Sequence, residues 1–172
     1  MSSLTLEIMI EDARWRKIPR LRASLEKAAA AAFKNLPKGR QLHGSVTVLL
    51  TSNAKVRRFN RDFRGLNKPT NVLSFPQFEP SKLPKNGKKR DRIYMGDVVL
   101  GYQYVVAEAK KDNKILINHT SHLLIHGILH LFGYDHVSGP EAVSMERLEA
   151  KIMAGLGLPD PYAPQTKERK AR

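Results

Sequence analysis

The stretch Ser121–His136, SHLLIHGILHLFGYDH, organises the reading of this chain. Its early residues are mostly leucine and isoleucine in every register, the pattern of a helix buried on most sides. His126 and His130 are four apart and so share one face of that helix, one turn from each other. Gly133 ends the helix, and His136 lies three residues beyond it. Two imidazoles on a rigid helix and a third from the following turn can fill three corners of a tetrahedron. That is the open three-ligand arrangement of a catalytic zinc, its fourth corner left for water.

The histidine stripe is longer than this motif. At 100° per residue, His119, His122, His126 and His130 fall within about 80° of one another. A lone histidine in such a helix is ordinarily a hydrogen-bonded core residue, and His122/His126 has the same spacing as His126/His130. Pairing alone therefore does not choose between ligand and core. The third histidine decides, because H-x3-H-x5-H with a glycine at the turn shares the ligand spacing of the metzincin motif. His119 precedes His126 by about 10 Å of helix axis, too far to share its ion. His119 and His122 are thus candidates for supporting the ligands from behind or for the core. Asp135, beside His136, could orient an imidazole, assist a water or simply cap the turn. Zinc peptidases carry a general-base glutamate after the first ligand; here that position is Gly127. A glycine moves no proton, so the spacing argues for zinc and the substitution against ordinary peptide hydrolysis.

Composition sets the surroundings. A chain of 172 residues with 41% hydrophobic content fits a single globular domain over 1–172. Its core is expected at about 4–157, with a basic, flexible tail over 158–172. Without cysteine there is no disulfide framework, thiolate metal cage or thiol nucleophile, and a cytoplasmic location is expected. The first residues, MSSLTLEIMIEDARW, lack a basic start followed by an apolar run, so no secretory signal is expected. No apolar run reaches the roughly 18 residues of a membrane span. Thirty Lys+Arg against sixteen Asp+Glu give a net charge of +14, a field that draws polyanions, nucleic acid first among them.

Strands are predicted over 4–10, 45–50, 71–75 and 93–100, and helices over 20–36, 53–63, 102–111, 114–132 and 140–154. Interleaved in this order they predict an α+β domain: one small mixed sheet of about four strands packed with about five helices. Either Thr51 or Ser52 can cap the second helix. Between Asn53 and Arg92 stand twelve Lys+Arg and three acids. Singly these are solvated side chains; together they form a phosphate-binding surface that weakens with salt. Arg61, Lys68, Lys88, Lys89 and Arg90 are the candidate RNA contacts. Arg64 differs from them, since it precedes the Gly65 turn and leads to TNVLSFP. An arginine there, beside a metal, could hold a scissile phosphate and stabilise its growing charge.

HGILHLFGYDH, His126–His136, resembles the signature of the YbeY family, bacterial endoribonucleases of ribosomal RNA maturation. FNRDFRGLNKPTNVLSFP (59–76), MGDVVL (95–100), His119, His122 and MERLEAKIMAGLG (145–157) correspond as well, so the resemblance runs from about Leu6 to Gly157. It implies a metalloprotein with one zinc ion on His126, His130 and His136. It further implies a zinc-dependent, single-strand-specific endoribonuclease acting in 16S rRNA 3′-end maturation and ribosome quality control. The partners implied are single-stranded RNA, ribosomal RNA and the small ribosomal subunit. The family's arginine falls on Arg64. Two departures stand out: Asn71 replaces the acid of the frequent TDVLSFP, so no base is expected there, and the 82–92 segment is longer or more charged. The alternatives are another zinc-dependent hydrolase of peptidase type, or a ribosome-assembly factor whose metal is structural.

Overall fold

In the computed structural model, residues 4–37, 43–79, 82, 93–135 and 139–163 are described. The sheet grows around β2 (Gly44–Thr51), whose SVTVLL core can be buried on both sides. β1 (Leu4–Ile10) and β4 (Ile93–Gly101) run parallel to it on either side. β3 (Val72–Pro76) pairs antiparallel with β4 and forms the far edge, so the order is β1-β2-β4-β3. Parallel neighbours need a crossover, and α1 (Leu21–Lys34) supplies it between β1 and β2.

The alternation of β2 and β4 divides the core. Val46, Val48 and Leu50, with Met95, Val98 and Leu100, bury one face beneath α1 and the histidine helix α4 (Leu116–Leu131). The opposite face is covered by α2 (Asn53–Arg64), whose Val56 packs with Leu73 and Val99. α3 (Tyr102–Lys111) and α5 (Gly139–Gly155) close around α4. Leu123, Leu124, Ile125, Ile128, Leu129 and Leu131 of α4 are all buried, each contributing about 1.5–3 kcal/mol relative to exposure. The predicted α+β class and the mixed four-stranded sheet with five α-helices are what the described residues form.

Several details differ from the prediction. A 3-10 helix over Ala13–Lys17, too short to show a period, begins where the Asp12 carboxylate accepts from Arg14 N. It buries Trp15 completely, and the indole Nε1 donates to Thr51 O at 3.0 Å. Ser52, not Thr51, caps α2, accepting from Lys55 N. α4 begins at Leu116 rather than 114, because Asn113 adopts a left-handed φ of 48° and Ile115 is extended. β3 runs through Pro76 instead of stopping before it, as a proline can at the end of an edge strand. Leu158 and Tyr162, assigned above to the tail, pack back against the domain.

Candidate active site

α4 lies against the sheet so closely that one of its residues must be glycine. A Cβ on Gly127 would stand 2.6 Å from Val98 Cγ1 and 3.2 Å from Ser74 Oγ. In place of a side chain, Ser74 Oγ donates to Gly127 O at 3.1 Å, tying the helix to β3. Gly127, noted above for the missing glutamate, thus has a packing reason: no side chain fits there. The contact sets the histidine face of α4 beside the edge strand.

The cleft between them has a volume of about 550 Å³. His126 and His130 line one side, with their Nε2 atoms 3.0 Å apart. Gly133, at φ 84° as the chain leaves α4, forms the rim with Tyr134 and Asp135. Ser74 and Asn71 contribute from β3 and its approach. Arg64 arrives from the other side of the sheet. It is the last residue of α2, and its Nη2 reaches the edge strand to donate to Ser74 O at 3.2 Å. Helix α2 and the histidine helix, on opposite faces, therefore meet in one cleft.

Behind the histidines lies a carboxylate absent from the predicted site. Glu149 of α5 is completely buried. Its Oε1 is 2.7 Å from His126 Nδ1, and its Oε2 is 2.6 Å from His122 Nε2 and bonded by the Tyr162 hydroxyl. Burial pushes this carboxyl up, but hydrogen bonds from His122, His126 and Tyr162 outweigh it and hold the value down at about 2. The Tyr162 hydroxyl is pushed well up, first by burial and then by its bond to Glu149. An ionised Glu149 accepts hydrogen bonds and donates none, so the facing nitrogen of each ring carries the proton. In neutral His126 that is Nδ1, which leaves the Nε2 lone pair aimed at the cleft. This is the carboxylate–histidine arrangement that orients zinc ligands and raises their basicity. A signal was present in the sequence: Met145, Glu149, Ile152 and Met153 share one face of α5, and an acid on an apolar stripe requires partners.

A second, half-buried pair lies nearer the start of α4. His119 Nε2 is 3.0 Å from Glu108 Oε2, and Asn71 Nδ2 donates to both oxygens of the same carboxylate, at 3.2 and 3.1 Å. Burial raises Glu108, and the bonds to His119 and Asn71 lower it further, so its value sits below the ordinary one. Asn71, which stands at the position of the acid in the frequent TDVLSFP, acts as a donor between the start of β3 and α3.

The predicted residues are thus sorted by position. His126, His130, Arg64 and Asp135 share the cleft. His122 touches Glu149 behind it, while His119 pairs with α3 instead. Arg61 lies outside this cleft, ion-paired with Asp62 at 2.8 Å and lining a shallow hollow with Arg57 and Arg58. Lys68 sits on the loop after α2, its carbonyl accepting from Asn60 Nδ2 at 2.8 Å. His136, Lys88, Lys89 and Arg90 lie outside the described residues. Among the described residues no three His, Cys, Asp or Glu side chains form a ligand group. The pair that is described fits zinc: nitrogens about 2.0–2.1 Å from a tetrahedral ion sit about 3.3 Å apart, close to the 3.0 Å between the two Nε2 atoms.

Fold and cleft together define an α+β protein in which an imidazole pair, braced by a buried carboxylate, faces an arginine carried round the edge of the sheet. The chain belongs to the YbeY family, whose model, described as Endoribonuclease YbeY, matches residues 9–157. It is 40% identical over 157 residues to the Endoribonuclease YbeY of Bradyrhizobium diazoefficiens, covering 91% of this chain and 84% of that protein. Against the Endoribonuclease YbeY of a Chelativorans species it is 41% identical over 163 residues, 94% of each chain. The solution structure of a Thermotoga maritima protein has a similar fold, with a TM-score of 0.52 and 22% identity over 93% of this chain and 100% of that one. Among the described residues no helix is long and apolar enough to cross a membrane.

Proposed function

We propose that this chain is a zinc-dependent, single-strand-specific endoribonuclease that acts in 16S rRNA 3′-end maturation and ribosome quality control. The observation that carries the reading is the convergence of His126 and His130 Nε2 in a cleft shared with Arg64. His126, His130 and His136 would hold one zinc ion, and Arg64 would be the catalytic arginine. Membership of the family described as Endoribonuclease YbeY supports RNA as the substrate, and the net charge of +14 suits a polyanion. The small ribosomal subunit is the proposed site of action, and the cytoplasm the proposed compartment.

Zinc in this position supplies Lewis acidity and eases the ionisation of water at neutral pH. The chain's own residues do the rest. Glu149 holds His126 in the tautomer that presents Nε2 and keeps the ring from rotating. Arg64, anchored on Ser74 O by one nitrogen, has further N–H donors for a phosphate oxygen. Those donors would stabilise the charge that grows on the phosphate as the bond breaks. Gly127 leaves no base beside His126, which separates this chemistry from that of the glutamate peptidases. Asp135, on the rim, is the exposed carboxylate of the cleft and can meet a water there.

His126→Ala is expected to lose bound zinc and RNA cleavage together, read by metal analysis and by gel assay of a single-stranded oligoribonucleotide. A folded His126→Ala protein that cuts RNA at the wild-type rate would rule the mechanism out. If instead His130→Ala abolished cleavage yet restored ribosome maturation in cells, the contribution would be binding rather than catalysis.

A further inference from the structure

We infer that Phe63 is a base-stacking subsite for single-stranded RNA, placed one residue from the arginine of the cleft. The inference rests on the endoribonuclease reading and extends it to how substrate is held. Phe63 is the most exposed large hydrophobic side chain among the described residues, at 69%. Exposure alone would mean little, since scattered surface apolar residues are ordinary. What sets Phe63 apart is its support and its place.

The ring is braced rather than loose. It meets Phe75 of β3 edge-on at 5.3 Å and Phe59, one turn back on α2, at 6.2 Å. Phe59 and Phe75 pack in turn against the small core of Val56, Leu73 and Val99. An aromatic ring held in this way presents a fixed face at little entropic cost on binding. Leu66, just past the Gly65 turn, is also exposed, at 48%.

The neighbours say what such a face meets. Arg64 follows Phe63 directly, and its side chain crosses the edge strand to the cleft. Phe75 lies between Ser74 and Pro76, both of which line that cleft. A strand whose phosphate is held by Arg64 therefore passes β3 within reach of Phe63. The basic group beside the ring is Arg64 itself; Arg57, Arg58 and Arg61 lie on the other side of the same helix, around a separate hollow with Asn67, and add only to the positive field. A basic track with an aromatic face is the usual device for gripping single strands without reading sequence, because every base has a π face. Bases paired in a duplex are stacked on each other and cannot spread onto the ring, so the subsite would favour unpaired RNA.

The test uses the full chain with Phe63→Leu, which keeps an apolar contact on Phe75 but loses the π face, and Phe63→Trp, which keeps both. With a single-stranded oligoribonucleotide, Phe63→Leu is expected to raise KM roughly tenfold while kcat stays within about twofold. The slope of affinity against salt should not change, because no phosphate contact is lost. Phe63→Trp is expected to keep the wild-type KM, and its added fluorescence should be quenched by the oligonucleotide; the native Trp15 is fully buried and gives a constant background. Walking one abasic nucleotide along the oligonucleotide should find a position that weakens binding to wild type but not to Phe63→Leu. Quenching without any cleavage would leave the subsite standing and remove the endoribonuclease reading. Cleavage with an unchanged KM in Phe63→Leu and no quenching of Phe63→Trp would overturn the subsite and keep the nuclease. Neither binding nor cleavage would overturn both.

Discussion

At the scale of single residues, Glu149 connects stability to chemistry. A completely buried carboxylate is costly unless every lone pair is occupied, and here His122, His126 and Tyr162 surround it. Glu149→Gln keeps the shape but removes the charge that selects the His126 tautomer. Zinc affinity is expected to fall about 10- to 100-fold, measured by competition with a chelator. Unchanged affinity would show that Glu149 only fills the core. The pH dependence follows from the same group. Its carboxyl drops from 4.5 to about 2 on folding, so its stabilisation is complete above 4.5 and disappears as pH falls from there toward 2. Wild-type melting temperature is expected to fall across that window more steeply than that of Glu149→Gln, by thermal unfolding of the metal-free proteins at a series of pH values. Parallel curves would contradict the assignment.

At the scale of elements, the site is a junction. α4 presents the histidines, α5 the carboxylate behind them, α2 the arginine, and β3 the edge over which that arginine reaches. The segment after α5 joins this junction through Tyr162, whose ring also packs edge-on against His122 at 5.5 Å. Tyr162→Phe removes the hydroxyl and keeps the ring. It is expected to speed amide hydrogen exchange over 156–163 and to weaken zinc binding several-fold, less than Glu149→Gln does, because two histidines remain on the carboxylate. If exchange over 156–163 stays at its wild-type rate, the hydroxyl is not what docks the segment.

At the scale of the whole molecule, charge and fold do separate things. The sheet and its helices place a handful of groups within one cleft, while the excess of fourteen positive charges extends far beyond it, nine of them falling between Asn53 and Arg92, where twelve Lys+Arg face three acids. That excess sets the strength and range of attraction for RNA, not its chemistry. Affinity for a single-stranded oligoribonucleotide is expected to fall linearly on a log–log plot against salt, and Arg64→Ala should reduce the slope by about one unit. Fluorescence anisotropy across a salt series reads this directly. A flat salt response would remove the electrostatic account of binding.

Much of this was legible in the chain itself, because it was local. Helical and strand periods located the four strands and five α-helices of the described residues to within a few positions, and four-residue spacing placed His126 and His130 on one face of α4. Gly133 marked where that helix ends, since its φ of 84° favours glycine. Other features depended on which distant segments pack together. The Ala13–Lys17 turn is held by a buried tryptophan bonded to Thr51, 36 positions away. The packing reason for Gly127 is its approach to Val98, which is 29 positions away in the chain and so invisible in the local pattern. Glu149 follows His126 by 23 residues, and only the packing of α5 on α4 brings its carboxylate to the ring. Arg64 and the histidines belong to helices on opposite faces of the sheet, and only the exposed edge of β3 lets them meet. The sequence by itself determined the elements, the charge and the imidazole pair, since periodicity and composition are properties of neighbours along the chain. The tertiary structure alone decided the support behind that pair and the path by which Arg64, already singled out by its place before the Gly65 turn, reaches the same cleft, since those contacts exist only once the helices pack.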